Sequence, residues 1–410
     1  MNLLTLSWRY LWSRPLASAL NLLLLTLGLA SMGFVLLAQD RIERAFERDL
    51  QDIDLVVGAK GSPLQLILAG VFHLDVPPGN VPLAEVRALA RHPQVAQVIP
   101  LSLGDSVSGF RIVGSTHDYP AHYGATLAQG TLWTAPLQAV LGAQVAQATG
   151  WHVGQPFVGE HGLGGGGHAH GESPYTVVGV LRPCGCVLDR LVLTDTTSVW
   201  AVHEGLAPGE FEGLSAEDRT AIEAEREVTL ALVRYNTPMA AIGLPRWVNS
   251  TTKMQAAAPA LEITRLLTLV GTGTRVLQGM GAVLLLVAGL SVFIALWSAV
   301  RERRADTALL RLLGAPPRRV AGLLLCEALW LAVLTSVAGL LLAQGLTALL
   351  GWMWMADMGL ATTAAGHWPP TLWGVPVAAL GVALAAAAVP AISAYRSDVA
   401  SLLSSSRSTT

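Results

Sequence analysis

Charge is what this 410-residue sequence has least of. Asp, Glu, Lys and Arg make up 13% of it, against about 25% in a soluble globular protein. A chain so poor in charge, with 52% apolar residues, is not a wholly soluble one. Lysine is nearly absent, with Lys60 and Lys253 alone. That scarcity and a net charge of −2 exclude a basic nucleic-acid surface. It also excludes a phosphate-binding loop, whose G-x-x-x-x-G-K-[ST] pattern needs a lysine to reach the phosphates. Lys60 has no glycine at the first motif position and Gly61 where Ser or Thr is required, and Lys253 follows Thr251-Thr252 with no glycine near. Neither a serine–histidine–acid set nor a carboxylate pair emerges from the spacing. The sequence therefore predicts a non-catalytic chain with no cofactor of its own and no nucleic-acid partner. Cysteine is scarce too: Cys184, Cys186 and Cys326.

What is present is apolar sequence in long windows. Residues 15–39 and 276–300 carry no charge, and neither do 328–356 and 358–395, apart from Asp357 between them. At about 1.5 Å per residue, a window such as 15–39 reaches about 37 Å, enough for a hydrocarbon core of about 30 Å. Pro369-Pro370 delimits the last helix. Four transmembrane helices are expected, at 15–39, 276–300, 320–350 and 372–395. The first apolar stretch is too long for the core of a cleavable signal peptide, and no lipobox cysteine follows it.

Arginine sets the orientation. Arg9 and Arg14 precede the first span, and Arg301, Arg303, Arg304, Arg311, Arg318 and Arg319 lie between the second and third. By the positive-inside rule, residues 1–14, the loop 301–319 and the tail 396–410 are expected in the cytoplasm. Residues 40–275 and the short loop 351–371 are then outside.

Residues 40–275 hold most of the acidic residues and every histidine except His367. Short β-rich runs (Ile53–Val57, Val95–Ile99, Gly109–Val113, Tyr175–Leu181, Leu191–Thr194, Val228–Arg234) alternate with helical stretches at 82–91 and 215–227. The fold class expected is four transmembrane helices plus an extracytoplasmic α+β domain between helices 1 and 2. At its ends, Ile42, Phe46 and Leu50 form one apolar stripe, and 261–267 runs into the second span without a proline. Two stalk helices or two ordinary connectors fit that pattern equally.

Between spans two and three, Ala305, Ala308, Leu309 and Leu312 fall on one helix face behind a group of arginines, with Gly314 placed as a C-cap and Pro316-Pro317 blocking resumption. Such a helix buries its apolar face either in the lipid interface or in a partner protein.

The order of one span, a large external domain and three spans resembles the FtsX-like, MacB-type permeases of ABC transporters. The run Arg301 to Gly314 is similar to that family's ERRREIALLRALGA pattern at the same place. Tyr175–Leu181 resembles a strand of the family's periplasmic domain, and Asp54 to Pro63 resembles a subset of these permeases. Pro316-Pro317 departs from the pattern. The resemblance implies a bacterial inner-membrane permease subunit, multi-pass, that dimerises, most simply with a second copy. It implies that ATP is bound by a separate ATP-binding subunit docked on Arg303, Arg304, Leu309, Arg311 and Leu312. It further implies that the resulting motion is passed to a periplasmic domain which moves or releases a lipoprotein, peptide or metal-linked cargo. The alternative is a membrane-anchored periplasmic metal-binding sensor or scaffold without an ATPase.

One segment stands apart from the family pattern. Glu160 to Glu172 is glycine-rich, with His161, His168 and His170. No helix N-terminus follows to favour phosphate, so the choice lies between a solvated loop and a zinc site built from His161, His168, His170, Glu172 and the nearby Cys184 and Cys186. A periplasmic substrate-binding or metal-binding protein would then be a partner. The two cysteines are expected on a hairpin tip between Leu181 and Leu191, as free thiols, a disulfide or ligands. Glu327 either snorkels from the start of the third span or accepts hydrogen bonds from a neighbouring helix or the coupling loop.

Overall fold

The structure, a computed structural model, describes residues 3–162, 173–204, 213–302, 311–312, 315–351 and 368–396. The described residues divide into two compact units, one within 1–42, 270–355 and 364–410 and one within 43–269.

The first unit is helical. Its long apolar helices are Pro15–Asp49, Pro259–Glu302, Pro317–Leu350 and the stretch Pro370–Arg396. Small residues bring them together. A Cβ on Gly339 would stand 2.9 Å from Leu29 Cβ, and one on Gly289 2.9 Å from Val382. In lipid, where apolar burial drives little, such close approach is how helices gain contact. The last helix, Gly374–Arg396, buries Val375, Ala379, Ala383, Ala387, Ala391 and Ala394 along one face. Pro317 begins a helix. It occupies the first turn of Pro317–Leu350 behind Pro316, where a missing N–H costs nothing. The short helix Leu3–Leu11 packs against Pro317–Leu350, with Trp8 edge-on to Trp330 at 5.0 Å between ring centroids.

The second unit is built on one mixed sheet. Its strands run in the order Met254–Ala257, Leu55–Ala59, Leu230–Tyr235, Val95–Val107, Phe110–Ser115, Leu191–Asp195, Gln138–Leu141, Tyr175–Leu181 and Leu127–Gly130. Phe110–Ser115 pairs in parallel with Leu191–Asp195, and Gln138–Leu141 with Tyr175–Leu181. Both faces are covered, and the two-residue period of a strand divides its side chains between them. Leu55 and Val57 thus join Val86 and Leu244 on one side, while Val56 joins Leu66 and Tyr119 on the other. The four helices and the α/β domain are the fold class read from the sequence.

One local expectation fails. Tyr175–Leu181 and Leu191–Asp195 are not a hairpin, because Gln138–Leu141 lies between them and pairs with both. The link between them instead carries the cysteine pair and the 3₁₀ turn Val187–Arg190.

Candidate functional site

The α/β unit includes the last residues of the helix Pro15–Asp49 and the first of Pro259–Glu302. Beyond Asp40 the helix Pro15–Asp49 carries charges, yet Phe46 and Leu50 pack into the same cluster as Tyr119, Leu188 and Ile263. Phe46 meets Phe72 edge-to-face at 4.8 Å. Ile263, buried, with Leu266 and Leu267 beside it, brings the start of Pro259–Glu302 into that cluster. The stripe Ile42, Phe46, Leu50 is the sequence signal for this, since four-residue spacing puts these side chains on one face.

The segment around the cysteines clasps the first helix end. Cys184 and Cys186 form a disulfide, so in this structure their sulfurs are not the thiolate ligands the zinc reading requires. The Asp189 carboxylate accepts the N–H groups of Cys184 at 2.9 Å and Gly185 at 2.7 Å. Gly185 holds a φ of +65°, which glycine adopts without a side-chain penalty. Arg48 donates to the Gly185 carbonyl. The Asp49 carboxylate accepts the Val187 N–H at 2.9 Å, and the Tyr123 hydroxyl donates to the Asp49 carbonyl at 2.9 Å.

Burial pushes the Asp49 carboxyl up to about 6 from an ordinary 3.8, against the pull of the Val187 N–H, Arg190 and Arg48. Between those two values the folded chain holds more protons than the unfolded one, so stability falls as pH rises through that window. A shift of this size corresponds to roughly 3 kcal/mol. Asp49→Asn keeps an acceptor for Val187 and removes the charge. The melting temperature of the variant should vary less between pH 4 and pH 7 and should equal or exceed the parent's at pH 7.5. A steeper pH dependence in the variant would contradict this account of Asp49.

On the first unit, Arg303, Arg304 and Leu309 of the expected docking helix lie outside the described residues. Arg311 is half-buried and Leu312 is 60% exposed. Arg14 pairs with Glu302. Glu327 is 4% exposed and lines a small cleft with Arg14, Ser18 and Asn21, so its carboxylate faces the bundle interior.

Of the six residues named for metal, His168, His170 and Glu172 lie outside the described residues, and Cys184 and Cys186 are bonded to each other. His161 lies instead beside two residues the sequence reading missed. Its Nδ1 is 3.0 Å from Asp105 Oδ1, and its ring stacks on His203 at 5.0 Å. Asp105 is buried. Asp105 is the lone acid in the strand Val95–Val107, a signal that could have marked it, because a buried charge demands partners.

The family model for the FtsX-like permease C-terminal matches residues 279–399, and that for the MacB-like periplasmic core domain matches residues 18–234. The chain belongs to this permease family. It is thus an inner-membrane ABC permease with a periplasmic domain. The pyoverdine export ATP-binding/permease protein PvdT of Pseudomonas syringae pv. tomato is 24% identical over 84% of this chain and 51% of its own length. The macrolide export ATP-binding/permease protein MacB of Nitrosomonas europaea is 23% identical over 75% of this chain and 46% of its own. The permease spans about half the length of the curated relatives it matches. The periplasmic region of MacB from Actinobacillus actinomycetemcomitans aligns with 53% of this chain and 95% of its own, at 13% identity and a TM-score of 0.34.

Proposed function

We propose that this permease is the force-transmitting membrane subunit of a MacB/FtsX-type export system. A separate ATP-binding subunit docks in the cytoplasm on the helix after Arg301, through Arg303, Arg304, Leu309, Arg311 and Leu312. Two permease copies face each other, as two ATP-binding subunits require, and both termini lie in the cytoplasm by the distribution of arginine. Nucleotide-driven closure moves the periplasmic domains, which act on a periplasmic or membrane cargo that need not cross the bilayer.

The observation that supports this reading is the insertion of Phe46, Leu50 and Ile263 into the core of the periplasmic domain. Those side chains belong to helices that run on without interruption into the apolar windows, as Pro15–Asp49 and Pro259–Glu302. A helix that is part of the core cannot shift without carrying the domain with it.

Photo-crosslinking from position 312 tests the docking. With benzoylphenylalanine replacing Leu312, an exposed side chain, irradiated membranes should yield an adduct with an ATP-binding subunit. Adducts with lipid alone would make the segment an interfacial helix and contradict the proposal.

A further inference from the structure

Three metal-ligating side chains from distant parts of the sequence meet on the periplasmic sheet. Asp105 lies in Val95–Val107 and stands directly opposite His161 of the antiparallel strand Glu160–His161. His203 comes from the last turn of the helix Thr196–Glu204. His203 Nε2 is 3.7 Å from Asp105 Oδ2, and His161 Nδ1 is 3.0 Å from Oδ1. One ligand atom from each of the three residues lies within 4.8 Å of the others.

Zinc takes nitrogen and oxygen ligands at about 2.0–2.2 Å, which in a tetrahedron sets ligand atoms about 3.4 Å apart. The three ligand atoms lie within 4.8 Å of one another, so holding one ion closes that spread by up to about 1.4 Å of side-chain movement. The donor set is two imidazoles and one carboxylate. It suits zinc and its neighbours, whereas calcium and magnesium take oxygen ligands throughout. The carboxylate is buried to 3% exposure while the two imidazoles are 44% and 37% exposed. The carboxylate therefore lies on the protein side of the cluster, and the two imidazoles lie toward its surface. Tyr175 adds a buried hydroxyl with no hydrogen-bond partner among the described residues, and a Cβ on Gly159 would lie 3.7 Å from both the Tyr175 ring and Asp105 Cβ.

We propose that Asp105, His161 and His203 form a site for a zinc-class divalent cation, with a fourth position left to water. The ion ties the strand Glu160–His161 to the helix Thr196–Glu204 across the buried carboxylate. This site does not depend on the transmission reading, and it shares only His161 with the set named from the sequence.

The test is zinc titration of the full chain in detergent after chelator stripping, read by competition with a chromogenic chelator and by metal content. One zinc per chain is expected. Asp105→Asn and His203→Gln should each weaken binding at least about tenfold, since even groups that merely orient a ligand cost about 10–100-fold when removed. The double variant His168→Gln/His170→Gln should bind like the parent. His203 is partly exposed at a helix end, so its variant answers the question if Asp105→Asn impairs folding. No zinc on the parent, parental affinity in His203→Gln, or loss confined to His168→Gln/His170→Gln would each overturn the site.

Discussion

Replacing Leu309 and Leu312 together with Asp is expected to detach the ATP-binding subunit from the permease. Burying one leucine contributes about 1.5–3 kcal/mol. Two lost leucines therefore remove at least about 3 kcal/mol of binding, which is about 100-fold in affinity. The two carboxylates add a desolvation cost to any residual contact. Leu312 is exposed at its position, so Leu312→Asp alone should leave the chain's own folding unchanged and serves as the control for the pair. Size-exclusion co-elution with the ATP-binding subunit measures the effect. Association at parental strength would remove these two residues from the docking surface.

The second large effect is expected from Glu47→Pro. Glu47 is exposed, one residue past Phe46 in the helix Pro15–Asp49. Proline there clashes with the carbonyl four residues back, removes a hydrogen bond, and kinks or breaks the helix at a cost of about 3 kcal/mol or more. If motion passes along this helix, the break separates the membrane part from the anchored part around Phe46 and Asp49. Hydrogen exchange of the periplasmic domain measures this without knowledge of the cargo. In the parent complex, exchange in the strands Leu55–Ala59 and Leu230–Tyr235 should change when a non-hydrolysable ATP analogue is added. In Glu47→Pro that change should vanish while the ATP-binding subunit stays bound, and Glu47→Ala should behave like the parent. A nucleotide response preserved in the proline variant would rule this helix out as the transmitting element.

The membrane architecture was legible because charge is costly in lipid. Residues 15–39 and 276–300 lie within the helices Pro15–Asp49 and Pro259–Glu302. The helices run further than the windows, to Asp49 at one end and from Pro259 at the other. A charge-free window marks where lipid begins, and a helix can continue past it in water. The stripe of Ile42, Phe46 and Leu50 carried that information, but not the identity of the partners Phe72 and Ile263.

Long-range pairing was much less legible. Strands close in sequence were expected to form a hairpin, and the short Gln138–Leu141 inserts between them without a distinctive pattern of its own. The cysteine pair was visible as a pair, but its oxidation and its place beside Arg48 were not. The histidines of the run 161–172 stand out because local density is what a sequence displays. Asp105 and His203 are isolated in the sequence and meet His161 only through the register of Val95–Val107 with Glu160–His161.

The measurement that bears most directly on force transmission is purification of the tagged permease from its own host in mild detergent, with identification of the proteins that elute with it. A dimeric permease is expected with an ATP-binding subunit at one copy per permease, released by the Leu309 and Leu312 substitutions. An intact, dimeric permease that elutes with no ATP-binding protein would contradict it and favour a scaffold or sensor anchored in the membrane.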